Sequence, residues 1–266
     1  MLLASALLTL QVATASPLDA ERADFARWLR TSPISPYAAI YHQPLEGDLR
    51  LGPDAAPPLD ALPAATLRDG RRGLTLETVD GERPIPRHRA VLHARWRIRV
   101  GGTHGLSVVT IFQPPDQESL HGWFPYDSAV VVNGALEPPA QPEARRLLAL
   151  DGLEAEATLA GTFTGALGGV PLRLTVYRIP EPGTDDAELQ VFFRDATSGN
   201  GSYPAGRFLT LTPLGRAGYR ADFNRARNPF CAYNTVFPCP LPWRGNTVAI
   251  PIAAGERYVP AAERAP

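Results

Sequence analysis

The sequence predicts an all-β protein of antiparallel sandwich or barrel domains, entered through one short N-terminal helix. Three observations carry this reading. From residue 74 onward, short alternating apolar and polar runs recur, each bounded by Gly, Pro, Asp or Asn. The chain holds 28 Pro and 23 Gly, in loop clusters such as APPLDALPAA and at turn positions between the runs. Its 266 residues suffice for one large β domain or two smaller ones, and 44% apolar content is ordinary for a globular core.

Taken in order, MLLASALLTLQVATA (1–15) reads as a secretory signal. Leu2 to Ala13 is almost wholly apolar, and Ala13-Thr14-Ala15 fits the small-x-small cleavage pattern, although the first residues lack Arg and Lys. The run is short for a membrane span of about 20 residues. No Cys follows the cleavage site to carry a lipid. The expectation is therefore export to the periplasm or the exterior, with no stable membrane insertion; a buried N-terminal helix is the alternative. Ser16-Pro17-Leu18-Asp19 then starts a helix, with Ser as cap and Pro at the first helical position. Phe25, Trp28 and Leu29 recur at helical spacing, so the segment 16–30 docks an apolar stripe on the body of the protein.

Residues 31–70 alternate short apolar pieces with Pro-rich loops. LTLETV (74–79) is a strand ending in an Asp80-Gly81 turn. His93 to Val100 reads as one strand, with Ala94, Trp96, Ile98 and Val100 on one face and Arg95, Arg97 and Arg99 on a solvated one. Further strands are expected at 106–113, 128–136, RRLLALDG, 169–178, 187–194, RFLTLTP, GYRADF and NTVAIPI, ten to twelve in all. The best boundary lies at 114–128, giving a smaller β domain at 31–113 and a larger one at 124–260. Trp123-Phe124-Pro125-Tyr126 forms the packing seam between the halves, or walls a ligand cleft there.

Composition excludes some chemistry. The net charge of -1 gives no electrostatic reason to expect nucleic acid or an anionic membrane. There is no lysine, which removes Schiff-base catalysis, phosphate-loop ATPases and kinase-type phosphoryl transfer. All five histidines (His42, His88, His93, His104 and His121) lie in the first half, so a Ser-His-Asp or Cys-His site would have to form across the halves. His88 and His93 are five apart, on opposite faces of a regular strand, which argues against a shared metal.

The chemistry-bearing residues concentrate between Phe192 and Arg257. Asp195 follows a strand and opens a turn, where its carboxylate can accept from the amides of Thr197 and Ser198, or act as a general base beside Asp222. Tyr203 reads as a loop-bridging corner tyrosine. Arg207 is the natural bidentate partner of Asp195 or Asp222. Asp222-Phe223-Asn224-Arg225 alternates like a strand end, with Asp222 and Asn224 on one face and Phe223 and Arg225 on the other. With Asn228, that face offers oxygens to a small polar ligand or ties the following loop. Glu256 closes the same region from the last segment. Cys231 and Cys239 have seven residues between them and, in an exported chain, read as a disulfide stabilising by roughly 2–3 kcal/mol. A metal pair would need four ligands, with only carboxylates near, so no metal is expected. A catalytic Cys231 thiolate would need a base that the sequence does not supply locally. No cofactor is implied.

At FRDATSG, SYPAGRFL, DFNRARNPFCAY and CPLP the chain resembles the bacterial domain of unknown function 1684 family. HGWFPYD and the closing AGERY fit the same family, and the resemblance covers about residues 28–258. It implies an all-β fold and a common site, but no reaction. The N-terminal part of that family looks similar to the forkhead-associated sandwich, here around Leu49-Arg50-Leu51-Gly52-Pro53-Asp54. Phosphothreonine readers place Arg after the Gly; this chain has Pro53, so the sandwich is expected in degenerate form. Two function classes follow. The first is a small-ligand-binding or structural β module. The second is a hydrolase using Asp195, Asp222 or Cys231, with Arg207 and Tyr203 stabilising charge. An enzyme needs its carboxylates facing an open cleft, whereas a scaffold has them buried and paired.

Overall fold

A computed structural model describes residues 16–260, apart from 72, 103–105, 116–120, 182–183 and 185. The signal reading of 1–15 and His104 fall outside the described residues. The helix α1 spans Pro17–Thr31, and the Ser16 hydroxyl accepts from the Asp19 amide at 3.1 Å. Leu18 and Leu29 are buried on its inner side.

Sixteen strands follow among the described residues. Those of the first half are β1 (Ala39–Pro44), β2 (Leu49–Leu51), β3 (Ala65–Gly70), β4 (Gly73–Thr78), β5 (Gly81–Pro84), β6 (Ala90–His93), β7 (Trp96–Gly101) and β8 (Val108–Phe112). They make two antiparallel four-stranded sheets, ordered β1-β8-β7-β6 and β2-β3-β4-β5. The sheets face each other across one apolar core: Leu67, Leu74 and Leu76 from one, Ile98, Val100, Val109 and Ile111 from the other.

The second half supplies β9 (Val131–Glu137), β10 (Ala144–Leu148), β11 (Glu154–Leu167), β12 (Val170–Pro180), β13 (Ala187–Phe193), β14 (Arg207–Thr210), β15 (Thr212–Pro213) and β16 (Tyr219–Asp222). These form one antiparallel sheet in the order β14-β13-β12-β11-β9-β16-β15, with β10 also paired to β11. Only Leu211 separates β14 from β15, the two ends of that path, so the sheet curls back on itself into a nearly closed barrel. Phe163, Leu174, Val176, Val191, Phe193 and Leu209 fill its interior. Part of the outer face is apolar too: Tyr177, Ile179, Phe192, Phe208 and Trp243 pack there.

Several sequence expectations change. His93 to Val100 is not one strand: His93 pairs with Trp96 across a two-residue hairpin turn, with Ala94 at φ 51°. Alternation continues straight through such a turn, so nothing in the pattern marks it. Arg99 does not lie on a solvated face; it pairs with Asp151 at 3.4 Å, linking β7 to the second half. Residues 246–252 form no strand. They run beside 194–196, with bonds from Arg194 N to Asn246 O (2.9 Å) and from Val248 N to Arg194 O (2.8 Å). Pro251 cannot donate to a ladder.

Residues 223–225 form a 3₁₀ turn rather than a strand end, so Phe223 is buried while Arg225 is exposed. The fourteen-residue β11 carries none of the expected strands, because EAEATLAGTFTGAL is rich in Ala, Gly and Glu, which sheets disfavour intrinsically. It bends at a bulge where Gly161 takes φ 137°; a Cβ there would lie 2.0 Å from the Glu137 carbonyl oxygen.

Between the halves sits the loop 229–237. Phe230, Tyr233 and Phe237 pack with Leu29 of α1, with Tyr37 and with Phe112 at the end of β8. Asn234 Nδ2 donates to Pro36 O (3.0 Å) and Ala39 O (2.7 Å).

Candidate functional site

Asp195 and Arg207 are brought together by the β13–β14 hairpin. Arg207 starts β14 opposite Phe193, and Asp195 lies two residues beyond Phe193. The guanidinium NH2 donates to Asp195 Oδ2 at 2.8 Å, and both side chains are essentially sealed from solvent, at 1% and 0% exposure. Asp195 Oδ1 accepts from Thr197 N (2.7 Å), Thr197 Oγ1 (2.6 Å) and Ile252 N (3.1 Å). The Ser198 amide goes instead to the Asp195 carbonyl at 3.0 Å. Arg207 also donates to the carbonyls of Ile252 (2.9 Å) and Ala254. Burial pulls its pKa down, and Asp195 opposes that. This pair nails the non-strand segment 252–256 onto the sheet.

Glu256 is enclosed in a separate nest. One carboxylate oxygen accepts from Asn228 N at 2.9 Å, and the other accepts from the Tyr233 hydroxyl. Burial pushes its pKa up to about 7, with Tyr233, Asn228, Arg227 and Arg207 opposing the shift. Gly255 makes the turn into this nest at φ 75°; a Cβ there would meet Phe223 O at 2.7 Å and Ala226 O at 2.8 Å. Asn228 Nδ2 donates to Arg257 O at 2.9 Å.

Asp222 and Asn224 form a third group. Asp222 Oδ1 accepts from the Asn224 amide (3.1 Å) and Nδ2 (3.0 Å), and Asn224 exchanges two bonds with the Asp127 backbone. Arg225 leaves this group, pairing with Glu21 on α1 and with Asp222 at 3.4 Å. Asp222 and Asn224 are thus occupied by protein donors, whereas Asn228 Oδ1 is buried without a hydrogen bond.

Cys231 is buried, Cys239 is exposed, and neither is bonded to another sulfur. The Tyr203 hydroxyl lies 3.3 Å from Cys231 Sγ and 3.2 Å from Cys239 Sγ, so the two thiols meet at one point. Burial, then the bond with Cys239, pushes the Cys231 thiol up to about 12. It is therefore protonated at neutral pH and a poor nucleophile. Among the described residues, no group of three or more His, Cys, Asp and Glu is placed to hold a metal ion.

Open space lies elsewhere. A cavity of about 440 Å³ sits between α1 and the outer face of β13–β14. Its apolar walls are Leu18, Trp123, Leu150 and Phe208, and its charged ones are Glu21, Arg22, Arg225, Arg227 and Glu188. Arg227 pairs by backbone with Phe208, extending the β14 edge by one bridge. Its guanidinium lies 4.0 Å from the Phe25 ring centre and makes no ion pair or hydrogen bond among the described residues. Arg22 sits 4.8 Å over Trp123 and donates to the carbonyls of Phe124 and Asn224, while its Nε has no partner.

Of the sequence-predicted residues, Arg225 lines this cavity, as does Trp123 from the segment expected to form the seam or wall a cleft. Sequence reasoning missed Arg22, Glu188, Gln190 and Arg227. The available signal was the alternation of 187–194, which puts Glu188 and Gln190 on the face opposite Val191 and Phe193. Asn246 was also missed; it is fully buried and ties Thr175 N, Thr175 O and Phe192 O together at 2.7–3.0 Å.

Among solved structures, the chain is similar to the solution NMR structure of an uncharacterized protein from gene locus rrnAC0354 of Haloarcula marismortui, at 30% identity and a TM-score of 0.43. That similarity covers 52% of this chain and 75% of the other. No curated protein matches. The family described as "Protein of unknown function (DUF1684)" matches residues 119–257, a stretch that contains Asp195, Arg207, Cys231, Glu256 and the sheet wall of the cavity. That match spans just over half of the chain, and the protein belongs to the DUF1684 family.

Proposed function

We propose that the protein is an exported β module that binds a small organic anion beneath α1, with Asp195, Arg207 and Glu256 as the scaffold behind that cavity. The observation that carries this reading is Arg227. Its cation is half-buried, stacked on Phe25 and unpaired among the described residues, beside Arg22 in a cavity with aromatic and aliphatic walls. Withdrawing a guanidinium from water is unfavourable, and a bound anion offsets that cost through charge-assisted hydrogen bonds. The apolar walls suit a carbon skeleton. The hydrolase reading lacks comparable support, since Asp195 is sealed and saturated, Cys231 is protonated, and neither lines this cavity.

Hexanoate and inorganic phosphate probe the site with and without an apolar tail. Hexanoate at ten times its Kd should stabilise the protein by roughly 1.4 kcal/mol, a rise in melting temperature of about 3–5 °C. Arg227→Met, which keeps a stem on Phe25, should abolish the rise. If neither anion shifts the wild type, the protein is a structural module instead.

The thiol pair fits the same exported setting. Oxidised glutathione should convert the two thiols into a Cys231–Cys239 disulfide and release two glutathione thiols. Protein recovered from an oxidising compartment should have an intact mass that starts at Ser16 and is two hydrogens lighter. A mass retaining residues 1–15 would refute export with cleavage, and one retaining both hydrogens would refute the bridge.

A further inference from the structure

The cavity beneath α1 does not end at its basic wall. Glu188 and Gln190, on the outer face of β13, line it from the side away from Arg227, together with Thr210. The Glu188 carboxylate accepts from Gln190 Nε2 at 2.7 Å and from Thr210 Oγ1 at 3.1 Å, and it has no cationic partner among the described residues. Gln190 Oε1 is buried without a hydrogen bond. Register fixes where these groups stand relative to Arg227. Gln190 faces Thr210, Phe192 faces Phe208, and Phe208 faces Arg227. Thr210 is therefore a diagonal neighbour of Arg227, about 7–8 Å away between Cα atoms. Glu188 lies two residues beyond Gln190, so the cation and the carboxylate overhang the same face two rungs apart, with Gln190 and Thr210 on the rung between them.

A second cavity of about 490 Å³ shares Leu150, Glu188 and Gln190 with the first, and is also lined by Asp151, Glu154 and Glu156. The two cavities meet at Glu188; in the second, Glu154 is paired with Arg146 at 3.8 Å and Asp151 with Arg99 at 3.4 Å, whereas Glu188 has no ion pair among the described residues.

We propose that the ligand is dipolar, an organic acid whose anionic end meets Arg227 and whose ammonium end lies at Glu188, where the two cavities join. This rests on the cavity being the ligand site. A ligand charged at both ends would supply the ion pairs that Arg227, whose charge otherwise acts on the buried Glu256 and Tyr233, and Glu188 lack among the described residues, and would meet the open acceptor Gln190 Oε1 beside Glu188.

Calorimetric titration of the full chain with 6-aminohexanoate, hexanoate and hexylamine tests this. The expected result is that 6-aminohexanoate binds at least tenfold tighter than either monofunctional probe. Glu188→Gln should bring 6-aminohexanoate down to the level of hexanoate while leaving hexanoate binding within twofold. Arg227→Met should weaken both acids tenfold or more. If hexanoate matches 6-aminohexanoate in the wild type, or if Glu188→Gln preserves the ratio, the dipolar assignment is wrong while the anion site stands. If none of the three probes binds, the ligand-site reading falls with it.

Discussion

Asp195→Asn should lower the melting temperature by roughly 10–15 °C, the largest effect expected of any single substitution in the polar focus. The side chain keeps its shape, so no cavity opens. What changes is charge: Arg207 remains enclosed with no counter-ion, and its NH2 loses an ionic acceptor at 2.8 Å. Breaking one half of a buried ion pair costs about 3–5 kcal/mol. The loss is also structural, because Asp195 Oδ1 holds the Ile252 amide and Arg207 holds the Ile252 and Ala254 carbonyls. Residues 252–256 have no sheet ladder to hold them otherwise. Replacing both partners by apolar residues should be milder than the single change, since no orphaned charge is left. Thermal unfolding of Asp195→Asn checks this, and an unchanged midpoint would refute the scaffold role. That outcome would return Asp195 to the list of candidate catalytic groups.

Stability should also fall as the pH rises through neutrality, because of Glu256. Burial raises its pKa from 4.5 to about 7 in the folded protein. Between those values the folded chain holds a proton that the unfolded chain releases. Its contribution is therefore complete below about pH 4.5 and is lost as the pH climbs through 7. The shift corresponds to about 3 kcal/mol. His42 works in the opposite sense. Burial lowers its pKa below 6.5, so its contribution holds above that value and is lost as the pH falls through the folded pKa. The difference between wild type and Glu256→Gln isolates the glutamate. Denaturant unfolding from pH 5 to 8 should show a sloping wild type, with the variant lacking that slope and gaining relative to wild type toward pH 8. Identical slopes in the two proteins would refute the assignment.

The sequence by itself determined the fold class and the capped N-terminal helix, and narrowed the partner of Arg207 to Asp195 or Asp222, a choice the tertiary structure made. Each depends on local chemistry: Ser before Pro with an Asp three residues on suits a helix start, period-two alternation suits a half-buried sheet, and an arginine near turn carboxylates suits an ion pair. It placed the β4–β5 turn one residue late: Thr78 pairs with Gly81, so Val79 and Asp80 make the turn rather than Asp80 and Gly81. It did not locate β11, whose small residues gain their strand conformation only from neighbours on both sides. Nor did it reveal that 223–225 coils into a 3₁₀ turn, a choice made by Asp222 capping Asn224. The cavity lay further out of reach. Its lining joins Glu21 and Arg22 of α1, Glu188 and Gln190 of β13 and Arg225 and Arg227 of the following loop, so no window of sequence contains it. Each of those residues looks like an ordinary polar surface residue until the tertiary fold decides which charges meet a partner. Arg225 finds Glu21, whereas Arg227 and Glu188 are left facing open space, because pairing depends on distances of a few ångströms between segments up to about two hundred residues apart.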